Sequence, residues 1–263
     1  MRTASIEQVS DGVFAAIAAE GGVAVGNAGF VDLGGATLVF DTHVSLTAAR
    51  SLRRSAEEHG PVSDVVLSHW HPDHVYGAAA FDARVVATRK TAELMRERTA
   101  ARLAEMKAKP PAEFAETPFA ELAETEIPTL ELHHPDETFD TDRLFSGPKR
   151  SARVLTYGGG HTLSDAVLWL EQERVLFAAD LVVVGTHPWV GDGDIDAWPG
   201  ILERMADLRP EKIVPGHGPI AGPEAIALML EYLEALRQAA SGDPNPFPQL
   251  PSPEMWERNL LNA

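Results

Sequence analysis

The sequence contains no cysteine in its 263 residues. This absence excludes disulfide bonds, thiolate metal ligands and a thiol nucleophile. Long apolar runs are missing as well, since no stretch approaches the roughly 18 residues that a transmembrane helix needs. Residues 1–7 lack the basic and then apolar pattern of a signal peptide. We therefore expect a cytoplasmic protein that is not anchored in a membrane.

Basic residues are scarce: the chain has 22 Lys and Arg against 39 Asp and Glu, a formal net charge of −17. A surface of this sign repels phosphate backbones and anionic lipid headgroups. Neither a nucleic acid nor a membrane is therefore expected as a partner. Hydrophobic residues make up 44% of the chain, a proportion typical of a globular protein, which excludes disorder.

Short apolar strands and amphipathic helices alternate along the chain in two rounds. The first round has predicted strands at 12–18, 29–34, 36–40, 64–68 and 84–88, with a helix at 45–59. The second round has predicted strands at 138–146, 153–157, 165–170, 175–179 and 212–214, with helices at 197–208 and 223–240. This order predicts two sheets with helices on their outer faces.

Residues 1–240 are expected to form one domain with a helical insertion at about 89–124. The insertion is predicted as a long helix, Arg89–Lys109, and a second helix, Ala112–Glu124. The long helix carries seven Lys or Arg against three Glu. This pattern is typical of a solvated helix face, and an anion-steering patch is the alternative. The proline-rich tail, 241–263, is expected to pack on the domain or on a second copy in a homo-oligomer.

The strongest chemical signal is the run HWHPDH at residues 69–74, at the end of a predicted strand. Positions i and i+2 share a face in an extended chain, so His69 and His71 can hold one ion. The proline between the two halves bends the chain, so Asp73 and His74 can serve a second ion. Imidazole and carboxylate ligands at this density suit zinc or iron.

Three later candidates follow predicted strands, mostly beside glycine or proline: His161, Asp180 and His217. His161 follows three glycines, and His217 is flanked by Pro-Gly and Gly-Pro. Recurrence of such residues at strand ends is typical of functional loops on a rigid scaffold.

In this run and in the order of the three later candidates, the chain resembles the metallo-β-lactamase superfamily of hydrolases. The resemblance spans 41–217 and implies an α+β fold, a four-layer αββα sandwich of two mixed β-sheets flanked by helices. It implies two Zn²⁺ ions, with Fe or Mn as alternatives. The implied ligands are His69, His71 and His161 for the first ion, Asp73, His74 and His217 for the second, and Asp180 for both. Asp41 matches the aspartate that braces the metal loop.

The resemblance implies that a hydroxide between the two metals attacks a small-molecule substrate, with Asp73 as ligand and catalytic proton shuttle. The ligand set with Asp180 resembles that of glyoxalase II and the acyl-homoserine lactonases, which favours an ester, thioester or lactone. β-Lactam hydrolysis, a phosphodiesterase and a mononuclear iron dioxygenase of the persulfide type are the enzymatic alternatives. The non-enzymatic alternative is a binding protein without activity. Four residues are candidates for the substrate pocket, although ordinary packing is the favoured interpretation of each: Trp70, Tyr76, His187 and Trp189.

Overall fold

Two β-sheets form the centre of the computed structural model, which describes residues 3–115, 117, 119–239 and 243–263. The first sheet has seven strands whose order in space follows their order in the chain. They are β1 (Ala4–Ser10), β2 (Val13–Ala18), β3 (Ala28–Asp32), β4 (Thr37–Phe40), β5 (Val62–Val66), β6 (Arg84–Thr88) and β7 (Glu137–Phe139). Strands β1 to β4 pair antiparallel, and β4 to β7 pair parallel.

The second sheet has five strands in the order β12-β11-β10-β9-β8. They are β8 (Arg143–Ser146), β9 (Ser151–Thr156), β10 (Ala166–Leu170), β11 (Val175–Val183) and β12 (Lys212–His217). Strands β11 and β12 are parallel, and the other neighbours are antiparallel. Both sheets are therefore mixed, as predicted.

Helices cover the outer face of each sheet. They are α1 (Leu46–Glu57), α2 (Pro72–Val75), α3 (Arg89–Leu94), α4 (Ala100–Ala108), α5 (Ala120–Thr125), α6 (Trp198–Asp207), α7 (Glu224–Gln238) and α8 (Glu254–Asn262). Apolar residues of α1 and α3 to α5 share a buried cluster with the first sheet, and those of α6 to α8 share one with the second. None of the described helices is long and apolar enough to cross a bilayer.

A third apolar cluster fills the space between the two sheets. Phe177 of β11 lies at its centre, with its ring 6.0 Å from that of Phe40 in β4. Gly29 of β3 allows this approach, because a Cβ atom there would collide with the Phe177 ring. The αββα sandwich is thus confirmed, and the two sheets are held close at the edge where the metal-type residues meet.

Two strands differ from the sequence prediction. The predicted strand 138–146 is divided: β7 belongs to the first sheet and β8 to the second, because the chain crosses between the sheets at residues 140–142. Strand β1 was not predicted, because this edge strand is largely exposed and its sequence lacks a continuous apolar face.

The insertion is less regular than predicted. A π-helical turn, Met95–Thr99, separates α3 from α4. The stripe that periodicity placed inward is buried: Met95, Thr99, Leu103 and Met106. The predicted helix 112–124 contains only a short 3₁₀ helix, Pro111–Phe114, and α5, and residues 116 and 118 lie outside the described part of the chain.

The tail ends in helix α8, which was not predicted from the proline-rich sequence. Trp256 is buried, with its ring 5.5 Å from Tyr232 and 5.9 Å from Phe247. The Asn259 amide donates to the Pro188 carbonyl at 2.7 Å and to the Tyr232 hydroxyl at 3.0 Å. The described tail residues, 243–263, therefore pack on the second sheet's helices; residues 240–242 lie outside the described ranges.

Replacing Trp256 by alanine should lower the free energy of unfolding by about 3–5 kcal/mol, the usual cost of truncating a buried tryptophan. Urea unfolding followed by circular dichroism measures this change. Leu261→Ala is the matched control, because Leu261 lies on the same helix and is 79% exposed. Equal stability of the two variants would show that α8 does not stabilise the domain.

Candidate metal centre

The seven predicted ligands come from one edge of the sandwich. Strands β4 and β5 are parallel, so Asp41 after β4 and His69 after β5 lie at the same edge. In the second sheet β9, β11 and β12 run in one direction, which brings His161, Asp180 and His217 to the corresponding edge. Ligands from two sheets therefore converge because carboxyl ends of parallel strands share an edge.

The short helix α2 orients the second half of the HWHPDH run. His71 is the residue before the helix, and Pro72 occupies its first position, where the missing N–H costs nothing. Asp73 and His74 then lie on the helix and face a different direction from His69 and His71. The bend predicted from the proline is present.

One group of ligand atoms consists of His69, His71, His161 and Asp180, and a second of Asp73, His74 and His217, with the atoms of each group within 4.8 Å of one another. Asp180 lies between the groups. Its Oδ2 is 3.8 Å from Nε2 of His69, 3.3 Å from Nε2 of His161 and 3.4 Å from Nε2 of His217. Its Oδ1 is 3.1 Å from Nε2 of His74. A single carboxylate therefore contacts both groups.

Glycine at position 216 allows Asp180 to occupy this place. A Cβ atom on Gly216 would collide with Oδ1 of Asp180, so any side chain there displaces the carboxylate. The neighbouring Ala179 has a φ of 46°, a strained conformation for a residue with a side chain. Strain next to Asp180 indicates that the surrounding packing fixes its position.

Three buried atoms of the cluster have no hydrogen-bond partner among the described residues: Nε2 of His69, Nε2 of His74 and Oδ1 of Asp180. Nε2 of His74 and Oδ1 of Asp180 are close, but their geometry is not that of a hydrogen bond. Buried polar atoms without partners cost free energy, so native proteins rarely retain them without a ligand. All three are atoms that coordinate metals, and they face the shared centre.

His71 and His161 give a second sign of a cation. Nδ1 of His71 lies 2.9 Å from Nε2 of His161. The other nitrogen of His161 is 3.0 Å from the Trp189 carbonyl and donates to it, while Nε2 of His71 is 3.2 Å from Asp192 and donates to its carboxylate. These partners assign lone pairs to both facing nitrogens. Two facing lone pairs repel each other unless a cation lies between them, so the residues fit a metal.

Charges within the site divide the histidines into two kinds. Burial lowers the pKa of His69 well below its usual value and that of His161 to about 3, so both rings are neutral ligands. Burial also opposes protonation of His217, but the carboxylates of Asp180 and Asp73 outweigh it and raise the pKa of His217 to about 10. A metal bound by His217 must therefore displace a proton.

Asp41 supports the metal loop through three hydrogen bonds. Its carboxylate accepts from the Ser68 backbone N–H at 2.8 Å, from the Ser68 hydroxyl at 2.7 Å and from Nδ1 of His74 at 2.9 Å. The Ser68 hydroxyl in turn accepts from Nδ1 of His69 at 2.9 Å. Both histidines are thereby held with Nε2 toward the centre. Sequence analysis missed Ser68, whose position beside His69 was the available signal.

Asp192 orients His71 through a hydrogen bond in the same way, and it was not predicted as a site residue either. Its Oδ2 accepts from His71 and, at 2.7 Å, from the Trp189 indole N–H, and its Oδ1 accepts from Arg98 at 3.1 Å. The hydrogen bond from His71 has the largest effect on the pKa of Asp192. Together with Trp189 and Arg98 it outweighs burial and lowers this pKa to about 2. The carboxylate is thus ionised and fixes the tautomer of His71.

Replacing Asp192 by alanine should weaken zinc affinity by about 10–100-fold, the usual effect of losing a partner that orients a ligating histidine. Competition with a fluorescent zinc chelator measures the affinity. Asp196→Ala is the matched control, since Asp196 lies in the same loop and makes an exposed ion pair with Arg237. Unchanged zinc affinity in Asp192→Ala would remove this residue from the site.

A cavity of about 300 Å³ opens over the cluster. Its walls include Trp70, His71, Pro72, Asp73, Arg102, Phe119, Asp180, Trp189, Asp192, His217 and Arg258. Of the predicted pocket residues, Trp70 and Trp189 line it. Tyr76 and His187 do not line it, and both pack elsewhere. Tyr76 is buried in the core under α4, and Nδ1 of His187 pairs with the Tyr232 hydroxyl at 2.8 Å in the packing of the tail.

Comparison with known proteins places the matched region over most of the chain. Residues 21–217 match the family model of the metallo-beta-lactamase superfamily. The "Beta-lactamase-like protein 2 homolog" of Caenorhabditis elegans is 24% identical over 195 residues, 72% of this chain and 52% of the relative. The "Metallo-beta-lactamase type 2" of Bacteroides fragilis is 24% identical over 189 residues, 67% of this chain and 63% of the relative. The chain thus spans about half to two thirds of the length of these relatives.

Solved structures share the fold over nearly their whole length. A metallo-beta-lactamase from Pontibacter korlensis superposes with a TM-score of 0.69 at 22% identity, covering 88% of this chain and 99% of that one. The metallo-beta-lactamase FIM-1 from Pseudomonas aeruginosa, in its mono-zinc form, superposes with a TM-score of 0.69 at 17% identity. The superposition covers 90% of this chain and 97% of that one. At these identities the superpositions show a shared fold, and the ligand groups form a set of the zinc type.

Proposed function

Because the chain belongs to the metallo-beta-lactamase superfamily, we propose that it is a zinc-dependent hydrolase that cleaves a small ester, thioester or lactone. The observation that carries this proposal is the contact of one carboxylate, Asp180, with both ligand groups. In a two-metal hydrolytic site, a carboxylate in contact with both ligand groups can hold the two ions close together.

His69, His71 and His161 would hold one zinc ion, and Asp73, His74 and His217 the other. Asp180 would bridge them, since its two oxygens face both groups. The set contains only nitrogen and oxygen donors, which zinc accepts in catalytic sites. The mono-zinc form of FIM-1, which shares this fold, supports the same choice of metal.

Bound zinc supplies an acidified water and polarises the oxygen of the group under attack. The chain's own residues orient and move protons around that chemistry. Asp73 lines the cavity, and burial opposes its ionisation, but His74 and His217 outweigh burial and hold its pKa well below the usual value. Its carboxylate is thus ionised at the cavity wall, and passing a proton to the leaving group is the role that the resemblance implies for it.

The cavity favours a small carbonyl substrate. Its volume of about 300 Å³ is at the lower limit of small-molecule sites, and aromatic walls from Trp70, Phe119 and Trp189 suit a short carbon skeleton. A polynucleotide fits neither this volume nor the net charge of −17.

β-Lactam hydrolysis is the second candidate, because the Bacteroides fragilis relative carries that name. One subclass of metallo-β-lactamases has a cysteine among its metal ligands, and this chain contains no cysteine. Another subclass has no bridging aspartate, whereas Asp180 contacts both ligand groups in this chain. We therefore place lactams below the other carbonyl substrates.

Initial rates with the zinc-loaded chain across thioesters, acyl-homoserine lactones, a chromogenic β-lactam and a phosphodiester test the proposal. We expect the highest kcat/KM for a thioester, ester or lactone, and no activity in His71→Ala, which loses a ligand of the first ion. A preference for the lactam or the phosphodiester would replace the proposed substrate class. Full activity in His71→Ala would reject the mechanism, and an iron-loaded chain that consumes O₂ would point to the dioxygenase.

A further inference from the structure

Two arginines line the metal cavity without a carboxylate partner. Arg102 lies on α4 of the insertion and Arg258 on α8 of the tail. Both are exposed, and within the described part of the chain no carboxylate lies at ion-pair distance from either guanidinium. Arg98, one turn before Arg102, differs, because it is paired with Asp192 at 3.1 Å.

The acidic groups of the cavity are already engaged. Asp73 and Asp180 face the histidines of the metal groups, and Asp192 accepts hydrogen bonds from His71, Trp189 and Arg98. In a chain of net charge −17, the described residues leave two guanidinium groups beside the metal groups without an ion pair, and Arg102 has only a longer-range attraction to Glu105. An anion that enters the cavity can therefore form an ion pair with either guanidinium.

The insertion helix shows that this free charge is local. Most of its basic side chains have partners: Arg89 pairs with Asp140, Lys90 with Glu93, Arg98 with Asp192 and Lys109 with Glu105, and Lys107 donates to the Leu130 carbonyl. Arg96 and Arg102 have no such partner among the described residues, and of these two only Arg102 lines the cavity. The helix is thus mostly a solvated, ion-paired face, with one arginine directed at the site.

We propose that the substrate carries an oxyanion group, a carboxylate or a phosphate, beside its scissile carbonyl, and that Arg102 binds this group with Arg258 in support. This inference rests on the proposed hydrolase function. A guanidinium presents a planar fork of donors that matches both anions. The Cζ atom of Arg258 lies over the Trp189 ring, 4.6 Å from the ring centroid. This contact holds the guanidinium against the ring and leaves the guanidinium edge free for hydrogen bonds. Trp70, Phe119 and Trp189 enclose the carbon chain between the anion and the metals.

Matched 4-nitrophenyl esters test this assignment with the zinc-loaded chain. The glutarate monoester ends in a carboxylate, the 4-phosphonobutyrate ester in a phosphonate, and the valerate ester in a methyl group at the same chain length. We expect kcat/KM to be at least tenfold higher for an anionic ester than for valerate, mainly through a lower KM. Arg102→Gln should reduce this ratio by on the order of tenfold or more, the range for a charge-assisted hydrogen bond. The preference for glutarate or phosphonate distinguishes the two anions.

Arg96→Gln is the matched control, because Arg96 lies in the π-helical turn just before α4 and outside the cavity, so its loss removes the same charge and should keep the ratio. Raising the salt concentration should increase KM for the anionic ester in the parent chain and much less in Arg102→Gln, since screening weakens only an existing charge contact. Equal kcat/KM for anionic and neutral esters would overturn the inference, as would an equal effect of the two variants.

A binding measurement separates this inference from the proposed function. Calorimetric titration of the zinc-loaded chain with glutaryl-4-nitroanilide and with its valeryl counterpart needs no turnover. If no ester is hydrolysed but the glutaryl compound binds at least tenfold more tightly and Arg102→Gln abolishes the difference, the hydrolase proposal fails and the anion site stands. If esters are hydrolysed without any preference in rate or binding, the anion site fails and the hydrolase proposal stands.

Discussion

Replacing Asp180 by alanine is expected to lower kcat/KM by on the order of a thousandfold or more, the scale of losing an essential member of a catalytic constellation. The same change should leave fewer than two zinc ions per chain. The physical reason is that Asp180 is the residue common to both ligand groups, with Oδ2 within 3.8 Å of three histidines and Oδ1 3.1 Å from a fourth. Its loss weakens both sites together.

Metal content by mass spectrometry and initial rates on the same samples measure the effect. Asp180→Asn serves as a second variant, because it preserves shape and removes the charge, and circular dichroism confirms that each variant is folded. Asp196→Ala controls for the loss of an aspartate at an exposed position. Two bound zinc ions and full activity in Asp180→Ala would contradict the bridging role.

Removing zinc with a chelator is expected to abolish hydrolysis and, because two sites are emptied, to lower Tm by roughly 15–30 °C. Zinc at a thousand times its Kd contributes about 4 kcal/mol per site, and each kcal/mol shifts Tm by about 2–4 °C in a domain approaching this size. Differential scanning calorimetry before and after chelation measures the shift. Readdition of zinc should restore both Tm and activity, whereas an unchanged Tm would show that the native fold binds no metal.

The chelated chain should also respond to pH in a defined window. The pKa of His217 is raised to about 10 in the fold, above its unfolded value of about 6.5. A raised pKa contributes stability that is complete below about 6.5 and is lost as the pH rises through about 10. The Tm of the chelated chain should therefore fall across this window, and much less so with zinc bound, since zinc has already displaced the proton. A parallel fall in both forms would contradict this account.

Residues adjacent in sequence were the easiest to predict. The HWHPDH run placed four candidate ligands on two faces because strand and turn geometry act over a few residues. The order of the strands then indicated which edge His161, Asp180 and His217 would share. Two sheets with outer helices followed from the strand and helix order, and the resemblance to the superfamily implied that the sheets are mixed; the fold and the superfamily are confirmed.

Residues that act on the site from distant elements were not predictable. Asp192 reaches His71 across 121 positions of the chain, and Arg258 arrives on a tail helix whose sequence is dominated by prolines upstream. Tyr76 shows that closeness in sequence does not place a side chain in the site, because it follows His74 by two residues and its ring is buried in the core. Side-chain direction in loops depends on packing that no local pattern records.

The cytoplasmic location and the homo-oligomer stay predictions. The role of the tail also stays a prediction, although Trp256 and Asn259 show how its helix contacts the domain.

Zinc titration of the chelator-stripped chain, with bound metal and carbonyl hydrolysis followed in the same samples, tests the central claim most directly. The site is expected to take up two zinc ions per chain, and hydrolysis of an ester, thioester or lactone should return as they bind. A chain that binds no zinc, or that hydrolyses the substrate equally well without it, would contradict the account of the site.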